Sequence, residues 1–231
     1  MWGLDATGWD AVQLSLKVAL VATLATLPVA LWLAWLLARR SFFGKSALNA
    51  LVHLPLVLPP VVTGYALLVL FGRSGPLGQF FDTVFGLEFA FRWTGAALAA
   101  AVMALPLMVR AIRLAIEAVD PKLEAAAATL GAPRVSVFTS ITLPLILPGI
   151  LAGVVMGFAK ALGEFGATIT FVASIPGETQ TIPSAIYSLL QVPGQESAAA
   201  RLVLCAAVLA IAAVFLSEWL ARRIAQRISG A

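Results

Sequence analysis

The sequence contains few charged residues. Only 11% of its 231 residues are Asp, Glu, Lys or Arg, whereas 61% are hydrophobic. A soluble domain carries roughly 25% charged residues, so this chain has too few to cover a surface that faces water. The composition therefore argues against a soluble domain and predicts long apolar segments that lie in a lipid bilayer.

Cysteine and histidine are nearly absent as well. Cys205 is the only cysteine, so no disulfide can form within the chain, and we interpret it as a small apolar residue. His53 is the only histidine, and no acidic residue or cysteine lies near it in the sequence. Metal sites and activated nucleophiles need such partners. We therefore expect no metal site and no catalytic centre, and a structural role for His53.

A complete nucleotide-binding loop is also missing. Gly44, Lys45 and Ser46 resemble the end of a phosphate-binding loop, but that loop needs a glycine where this chain has Arg39. We interpret Lys45 as a charge at the membrane boundary. The chain is not expected to carry out ATP chemistry itself.

What the sequence does contain is five apolar runs, each near the length of about 20 residues that a transmembrane helix needs. In the second run, Pro55, Pro59 and Pro60 remove backbone donors and should bend the helix. We predict an all-α polytopic membrane protein in which residues 1–231 form a single domain. The five predicted spans are 15–38, 48–71, 94–113, 141–162 and 202–221.

The Lys and Arg residues divide unequally between the two sides of these spans. Ten lie on the side of the first and third connections and the tail, and four lie on the other side together with several acidic residues. The richer side is expected to be cytoplasmic, so the N-terminus lies outside and the tail inside. No Lys or Arg precedes Lys17, so we expect no cleavable signal peptide. The ten are Arg39, Arg40, Lys45, Arg110, Arg113, Lys122, Arg134, Arg222, Arg223 and Arg227, and the four are Arg73, Arg92, Lys160 and Arg201.

The connection between the third and fourth spans predicts a short helix. Asp120 suits the N-cap, Pro121 suits the first helical position, and four alanines follow. Gly131 suits the left-handed position after the helix, and Pro133 blocks its continuation. Such a helix either docks in a groove of another protein or rests on the membrane as a plain connector. Its predicted apolar face holds Leu123, Ala126, Ala127 and Leu130.

The residues around this helix resemble the signature of bacterial ABC importer permeases. That signature reads Glu-Ala-Ala, three residues, Gly, nine residues, Ile, one residue and Leu-Pro, and its second half matches fully. Its first half departs, because the family's glutamate falls on Ala125 and the acid of this chain lies one place earlier, at Glu124. The resemblance implies that the segment 117–144 docks on a separate ATPase subunit. The residues assigned to coupling are Glu124, Ala125, Ala126, Gly131, Ile141, Leu143 and Pro144.

Two further stretches, 163–171 and 175–183, are similar to the ModB family of molybdate permeases, and the resemblance extends from about residue 10 to the end of the chain. It implies the type I permease architecture and import of molybdate across a bacterial inner membrane, with the N-terminus in the periplasm and the C-terminus in the cytoplasm. The implied partners are a second copy of the chain, two cytoplasmic ATPase subunits and a periplasmic molybdate-binding protein. ATP and magnesium would be bound by the ATPase subunits, and this chain would need no cofactor.

The middles of the spans hold no charged residue that would fix an anion. Hydroxyls and backbone amides at helix N-termini bind an oxyanion more weakly and so allow its release. The alternative is that the threonine hydroxyls bond to their own helices. Candidate residues of the translocation path are Thr63, Glu164, Thr168, Thr170 and Thr181.

A row of small residues marks the fourth span. Gly149, Gly153 and Gly157 recur every four residues, which lets a second helix approach closely. The partner helix belongs either to the same chain or to a second copy.

Residues 163–200 are long for a simple loop. We predict a short helix over Ile182–Leu190, started by Thr181 and Pro183 and too short to cross the membrane, in a segment that dips toward the passage. A sixth, kinked span over 167–190 is the alternative.

Other functions remain to be weighed against import of molybdate. The substrate is alternatively tungstate or sulfate, which are similar tetrahedral dianions. An intramembrane enzyme would need a nucleophile with a base or a metal cluster. A self-sufficient channel or an ion-coupled carrier is the other alternative, and ion coupling would favour acidic residues within the membrane. The sequence favours neither, so both rank below the ABC importer permease.

Overall fold

The computed structural model describes residues 5–229, which form helices and, within that range, no strand. Long apolar runs fold this way because a helix satisfies its backbone hydrogen bonds within one segment. The helices, in chain order, are α1 (Ala6–Arg39), α2 (Lys45–Val57), α3 (Pro60–Phe71), α4 (Pro76–Phe85), α5 (Trp93–Ala118), α6 (Pro121–Thr129), α7 (Arg134–Val137), α8 (Leu143–Leu162), α9 (Gly166–Val172), α10 (Ile182–Leu190) and α11 (Glu196–Ser229).

Four segments in the described part of the chain are long and apolar enough to cross a membrane. They are α1, α5, the segment Val135–Leu162 and the first half of α11, and they confirm four of the five predicted spans. The fifth predicted span, 48–71, corresponds to the apolar pair α2 and α3, between which the chain bends by 113°. Leu58 is extended and Pro59 and Pro60 lack N–H donors, so the helix breaks there rather than bending gently.

Helices α1 and α5 run side by side in the same direction and form the centre of the bundle. Near their N-termini, Ala19, Ala22, Ala96 and Ala100 are fully buried in one cluster with Phe171 of α9. Alanines allow two helix backbones to approach closely. A second cluster joins the other ends of α1 and α5 to α8 and α2, through Leu37, Met108, Ile112, Ile116, Ile146 and Val52. We call the two ends of the bundle the Asp5 end and the Arg39 end.

The glycine row of α8 lies against α5 of the same chain. A Cβ at Gly153 would stand 3.2 Å from Ile112 Cγ1, and one at Gly157 would stand 2.6 Å from Met108 Sδ. A Cβ at Gly149 would overlap the Cβ of Ala115. The row therefore sets the distance between α5 and α8.

Residues 163–200 fold at the Asp5 end. The short helix predicted over Ile182–Leu190 is confirmed as α10, and its backbone is tied to α1 because the Ile182 N–H donates to Ser15 Oγ at 2.7 Å. The alternative of a sixth span over 167–190 is wrong, since α9 has 7 residues and α10 has 9. Neither is long enough to cross a bilayer.

We predict that Gly149→Ala destabilises the bundle. The new methyl group meets the Ala115 methyl group, which has no rotamer to adopt, and overpacking of this kind costs about 1–3 kcal/mol. Thermal unfolding in detergent, followed by circular dichroism, should show a lowered Tm. The matched control is Ala152→Leu on the exposed face of α8, which should change the Tm little. Equal Tm values for both variants would contradict this packing.

Candidate functional site

The helix predicted after Asp120 is confirmed as α6, and both of its ends are capped. Asp120 Oδ1 accepts a hydrogen bond from the Lys122 N–H at 2.9 Å. At the other end, Gly131 has a φ of +82°. Its N–H donates to the Ala128 carbonyl at 3.0 Å, and the Ala132 N–H donates to the Ala127 carbonyl at 3.2 Å. This pair of bonds is the Schellman motif, which ends a helix sharply at glycine.

Helix α6 stands out from the bundle at the Arg39 end. All nine of its residues are described, and none of them is buried. Leu123 is 49% exposed and Leu130 is 88% exposed, and Val135 in α7 adds further exposed apolar surface. Ala125 and Ala126 are also exposed. A helix this short has only marginal stability alone in water. Its exposed apolar residues offer a surface that another protein can contact.

Glu124 is the exception on α6, because its side chain faces the bundle. Its Oε1 accepts from Arg39 Nη2 at 3.1 Å and from Thr142 Oγ1 at 2.7 Å. Arg39 is the last residue of α1, and Thr142 immediately precedes α8. One carboxylate oxygen therefore joins three segments of the chain.

A π-helical turn over Phe138–Thr142 leads into α8. The Leu143 N–H donates to the Phe138 carbonyl, five residues back. Pro144 cannot donate to the carbonyl four residues before it, and its ring would crowd a regular helix there. The wider turn accommodates the proline and buries Thr142, while Ile141, Leu143 and Pro144 are half-buried. The second half of the signature thus shapes the entry to α8.

A groove of about 890 Å³ separates α6 and α7 from the end of α1. Its walls are mostly apolar and include Trp32, Trp35 and Phe138. Arg39, Glu124 and Thr142 line it as well, so their hydrogen bonds lie along this groove.

Helices α3 and α9 begin next to each other. Helix α3 follows the break after α2, and α9 follows the end of α8. A Cβ at Gly166 would stand 2.7 Å from Pro60 Cβ, which places the two N-termini in contact. Further along, a Cβ at Gly64 would stand 2.5 Å from the Ala167 carbonyl oxygen and 2.9 Å from Thr170 Cβ. Two short parallel helices therefore start together inside the bundle, with the positive ends of their dipoles side by side.

Glu164 caps the second of these helices. Its side chain is 1% exposed. Its Oε1 accepts from the Ala167 N–H at 3.0 Å, and its Oε2 accepts from Lys160 Nζ. Both carboxylate oxygens are thus used within the chain, and the positive charge of Lys160 offsets the negative charge of Glu164. The geometry gives Glu164 the role of holding the break between α8 and α9.

The four candidate threonines differ in their surroundings. Thr168 Oγ1 donates to the Phe165 carbonyl and Thr170 Oγ1 to the Gly166 carbonyl, each at 2.9 Å. Thr181 lies apart at the start of α10, 3.5 Å from Ser184 Oγ. Thr63 is buried in the first turn of α3, and its hydroxyl has no hydrogen-bond partner among the described residues. Of the four, Thr63 alone keeps an unsatisfied hydroxyl at the paired helix starts.

The second stretch that resembles ModB, residues 175–183, forms a closed loop that leads into the first residues of α10. Thr179 Oγ1 accepts from the Ile175 N–H at 2.9 Å and lies 3.2 Å from the Ala173 carbonyl oxygen. Ala173 has a φ of +60°, a conformation that L-residues adopt rarely. The loop holds this strained residue beside α9.

Sequence reasoning missed Lys160, Arg39 and Thr142 as site residues. Lys160 and Glu164 are four residues apart, a spacing that favours ion pairs in helices and that offered a usable signal. Arg39 and Glu124 are 85 residues apart, and no local pattern connects them.

We predict a graded loss of stability on changing Glu164. Glu164→Ala leaves the Ala167 N–H and Lys160 without their acceptor, which should cost about 1–3 kcal/mol. Glu164→Gln keeps an acceptor for the N–H and should lie between Ala and wild type in thermal unfolding. Thr170→Val is the control, because the Thr170 hydroxyl bonds only to its own helix. A wild-type Tm for Glu164→Ala would rule out the capping role.

Comparison with known proteins identifies the family to which the chain belongs. The family described as "Binding-protein-dependent transport system inner membrane component" matches residues 27–230. The molybdenum transport system permease protein ModB of Escherichia coli (strain K12) is 61% identical over 214 residues, which cover 93% of this chain and 93% of that protein. ModB of Haemophilus influenzae is 57% identical over 219 residues, covering 95% of this chain and 96% of that protein.

The fold has a solved counterpart. The crystal structure of a bacterial ABC transporter involved in the import of the acidic polysaccharide alginate matches with a TM-score of 0.75 and 22% identity, covering 95% of this chain and 80% of that chain. At this identity the match shows the fold alone. The chain thus belongs to the family of inner membrane components of binding-protein-dependent transport systems and, within it, to the ModB-type permeases.

Proposed function

We propose that this chain is the transmembrane subunit of an ATP-driven importer that carries molybdate into the bacterial cytoplasm. The observation that carries the proposal is the exposed, doubly capped helix α6, in a chain that is similar to ModB over nearly its whole length. The family is one of transport permeases and not of enzymes. The residues form a passage and a docking helix, and hydrolysis of ATP belongs to a separate subunit.

The proposed assembly contains two copies of this chain, two cytoplasmic ATPase subunits and a periplasmic binding protein. The excess of Lys and Arg favours the cytoplasm for the Arg39 end of the bundle. Helix α6 then faces the ATPase subunit, and its exposed Leu123 and Leu130 supply apolar contact area. The Asp5 end, with α4, α9 and α10, faces the periplasm.

Transport follows from alternating access. Binding of ATP closes the two ATPase subunits, their grooves carry α6 inward, and the spans turn to face the periplasm. Hydrolysis resets the state that faces the cytoplasm. The movement of the ATPase subunits is transmitted to the spans through α6, so α6 must stay a rigid helix with both ends capped.

The anion passes the paired starts of α3 and α9 in this proposal. The Thr63 hydroxyl, a neutral donor with no partner among the described residues, offers binding weak enough for release. Selectivity then rests mainly with the binding protein that delivers the ion.

The end of α6 offers a direct test of coupling. Gly131→Val and Gly131→Asn both place a side chain in open space, but only asparagine tolerates the positive φ readily. The valine variant should therefore distort the end of α6 and lower the uptake per ATP hydrolysed by about fivefold or more, within the usual range of coupling energies. The asparagine variant should keep most of the coupling. Both should retain the wild-type Tm of the spans.

That outcome is measured by comparing ATPase activity with uptake in proteoliposomes. If Gly131→Val transports and hydrolyses ATP in the wild-type ratio, α6 is not the coupling element.

The substrate is tested by uptake of labelled molybdate into proteoliposomes that hold this chain, its ATPase subunit inside and its binding protein outside. We expect ATP-dependent uptake that excess sulfate does not suppress, with tungstate as a second competitor. Entry of labelled sulfate without molybdate would leave the importer architecture in place and reject the substrate. Uptake by this chain alone, without the ATPase subunit, would reject the importer and favour a channel.

A further inference from the structure

We propose that Glu124 is an internal strut that passes the movement of α6 to α1 and α8, and that it does not contact the ATPase subunit. The inference rests on the proposed function, in which α6 is the docking helix. It assigns a positioning role to a residue whose place departs from the family signature by one position.

The direction of the side chain supports the strut. One residue along a helix turns the side chain by about 100°, so residues 124 and 125 face different surroundings. Ala125, where the signature has its glutamate, is exposed. The Glu124 side chain is 30% exposed and its Oε1 is bonded to both Arg39 and Thr142. A carboxylate held this way points at the bundle and away from a protein docked on the outer face of α6.

The strut matters because α6 has little else to hold it. None of its nine described residues is buried, and a groove of about 890 Å³ separates it from the end of α1. Hydrogen bonds that involve a charged partner are roughly twice as strong as neutral ones. The bonds of Glu124 are therefore well suited to carry movement along this groove.

The two partners of Glu124 lead to different parts of the bundle. Arg39 ends α1, which packs along α5 through buried alanines. Thr142 is buried in the π-helical turn before α8. Helix α8 continues to Lys160, which pairs with Glu164 at the start of the break before α9. A displacement of Glu124 thus has a continuous path of contacts to the paired starts of α3 and α9.

The decisive test moves the carboxylate by one residue. Wild type, Glu124→Ala and the double variant Glu124→Ala with Ala125→Glu are compared in the complete complex, in proteoliposomes with labelled molybdate. We expect Glu124→Ala to lower the uptake per ATP by about tenfold, within the range of measured coupling energies, while ATPase activity and assembly persist. The double variant should stay uncoupled. If it regains wild-type uptake per ATP, the acid contacts the ATPase subunit and the strut is wrong.

A charge exchange supplies the positive control. Arg39→Glu alone should uncouple transport, and Arg39→Glu combined with Glu124→Arg should restore part of the coupling because the ion pair reforms. Lys45→Ala removes a positive charge at the start of α2, outside the docking segment 117–144, and should leave the ratio unchanged. Failure of the exchange to restore any coupling, with Glu124→Ala still coupled, would overturn the strut.

Different experiments would reject the role of Glu124 as a strut and the proposed function of the chain. If the wild-type complex shows no ATP-driven uptake of molybdate, the proposed function fails. The strut is then judged by a double-mutant cycle of Arg39→Ala and Glu124→Ala on thermal unfolding, because residues in contact give non-additive effects. Additive effects in that cycle would overturn it.

Discussion

A bilayer offers no water to an unpaired backbone group, so every interruption of a helix must find its partners within the protein. The fold depends on how two such interruptions are satisfied. At the first, Pro59 and Pro60 have no N–H to leave unpaired. At the second, the Glu164 carboxylate accepts from the start of α9 and from Lys160. Because both breaks are supported locally, α3 and α9 can begin inside the bundle and leave helix N-termini there.

The remainder of the bundle divides into a tightly packed part and a loosely attached part. Helices α1, α5 and α8 meet through alanines and glycines, whose small side chains fix the distances between backbones. Helix α6 is capped at both ends but exposed, and polar contacts of Glu124 help to hold it. A helix that another protein moves must be exposed so that the other protein can bind it. The spans that carry the movement need the rigidity that close packing provides.

The sequence predicted elements whose causes are local. Asp120 and Gly131 delimit α6 because caps act within one helical turn, and Thr181 with Pro183 marked the start of α10 for the same reason. The prolines predicted a bend near Pro59 but not its size of 113°. Helix α3 packs on α9, and no local pattern connects these two helices. The Arg39–Glu124 pair had no local pattern. The partner of the α8 glycines was undecided because α5 and a second copy satisfy the same spacing.

Alternating access driven through α6 is the central claim, and two labelled positions test it. In a Cys205→Ser background, one spin label per chain at Ala126 on α6, or at Thr83 on α4, gives one distance between the two copies of the complex. Both residues are exposed. On trapping with ATP, the account predicts that the Ala126 distance shortens while the Thr83 distance lengthens. Distances that both stay fixed, or that change in the same direction, would contradict alternating access driven through α6.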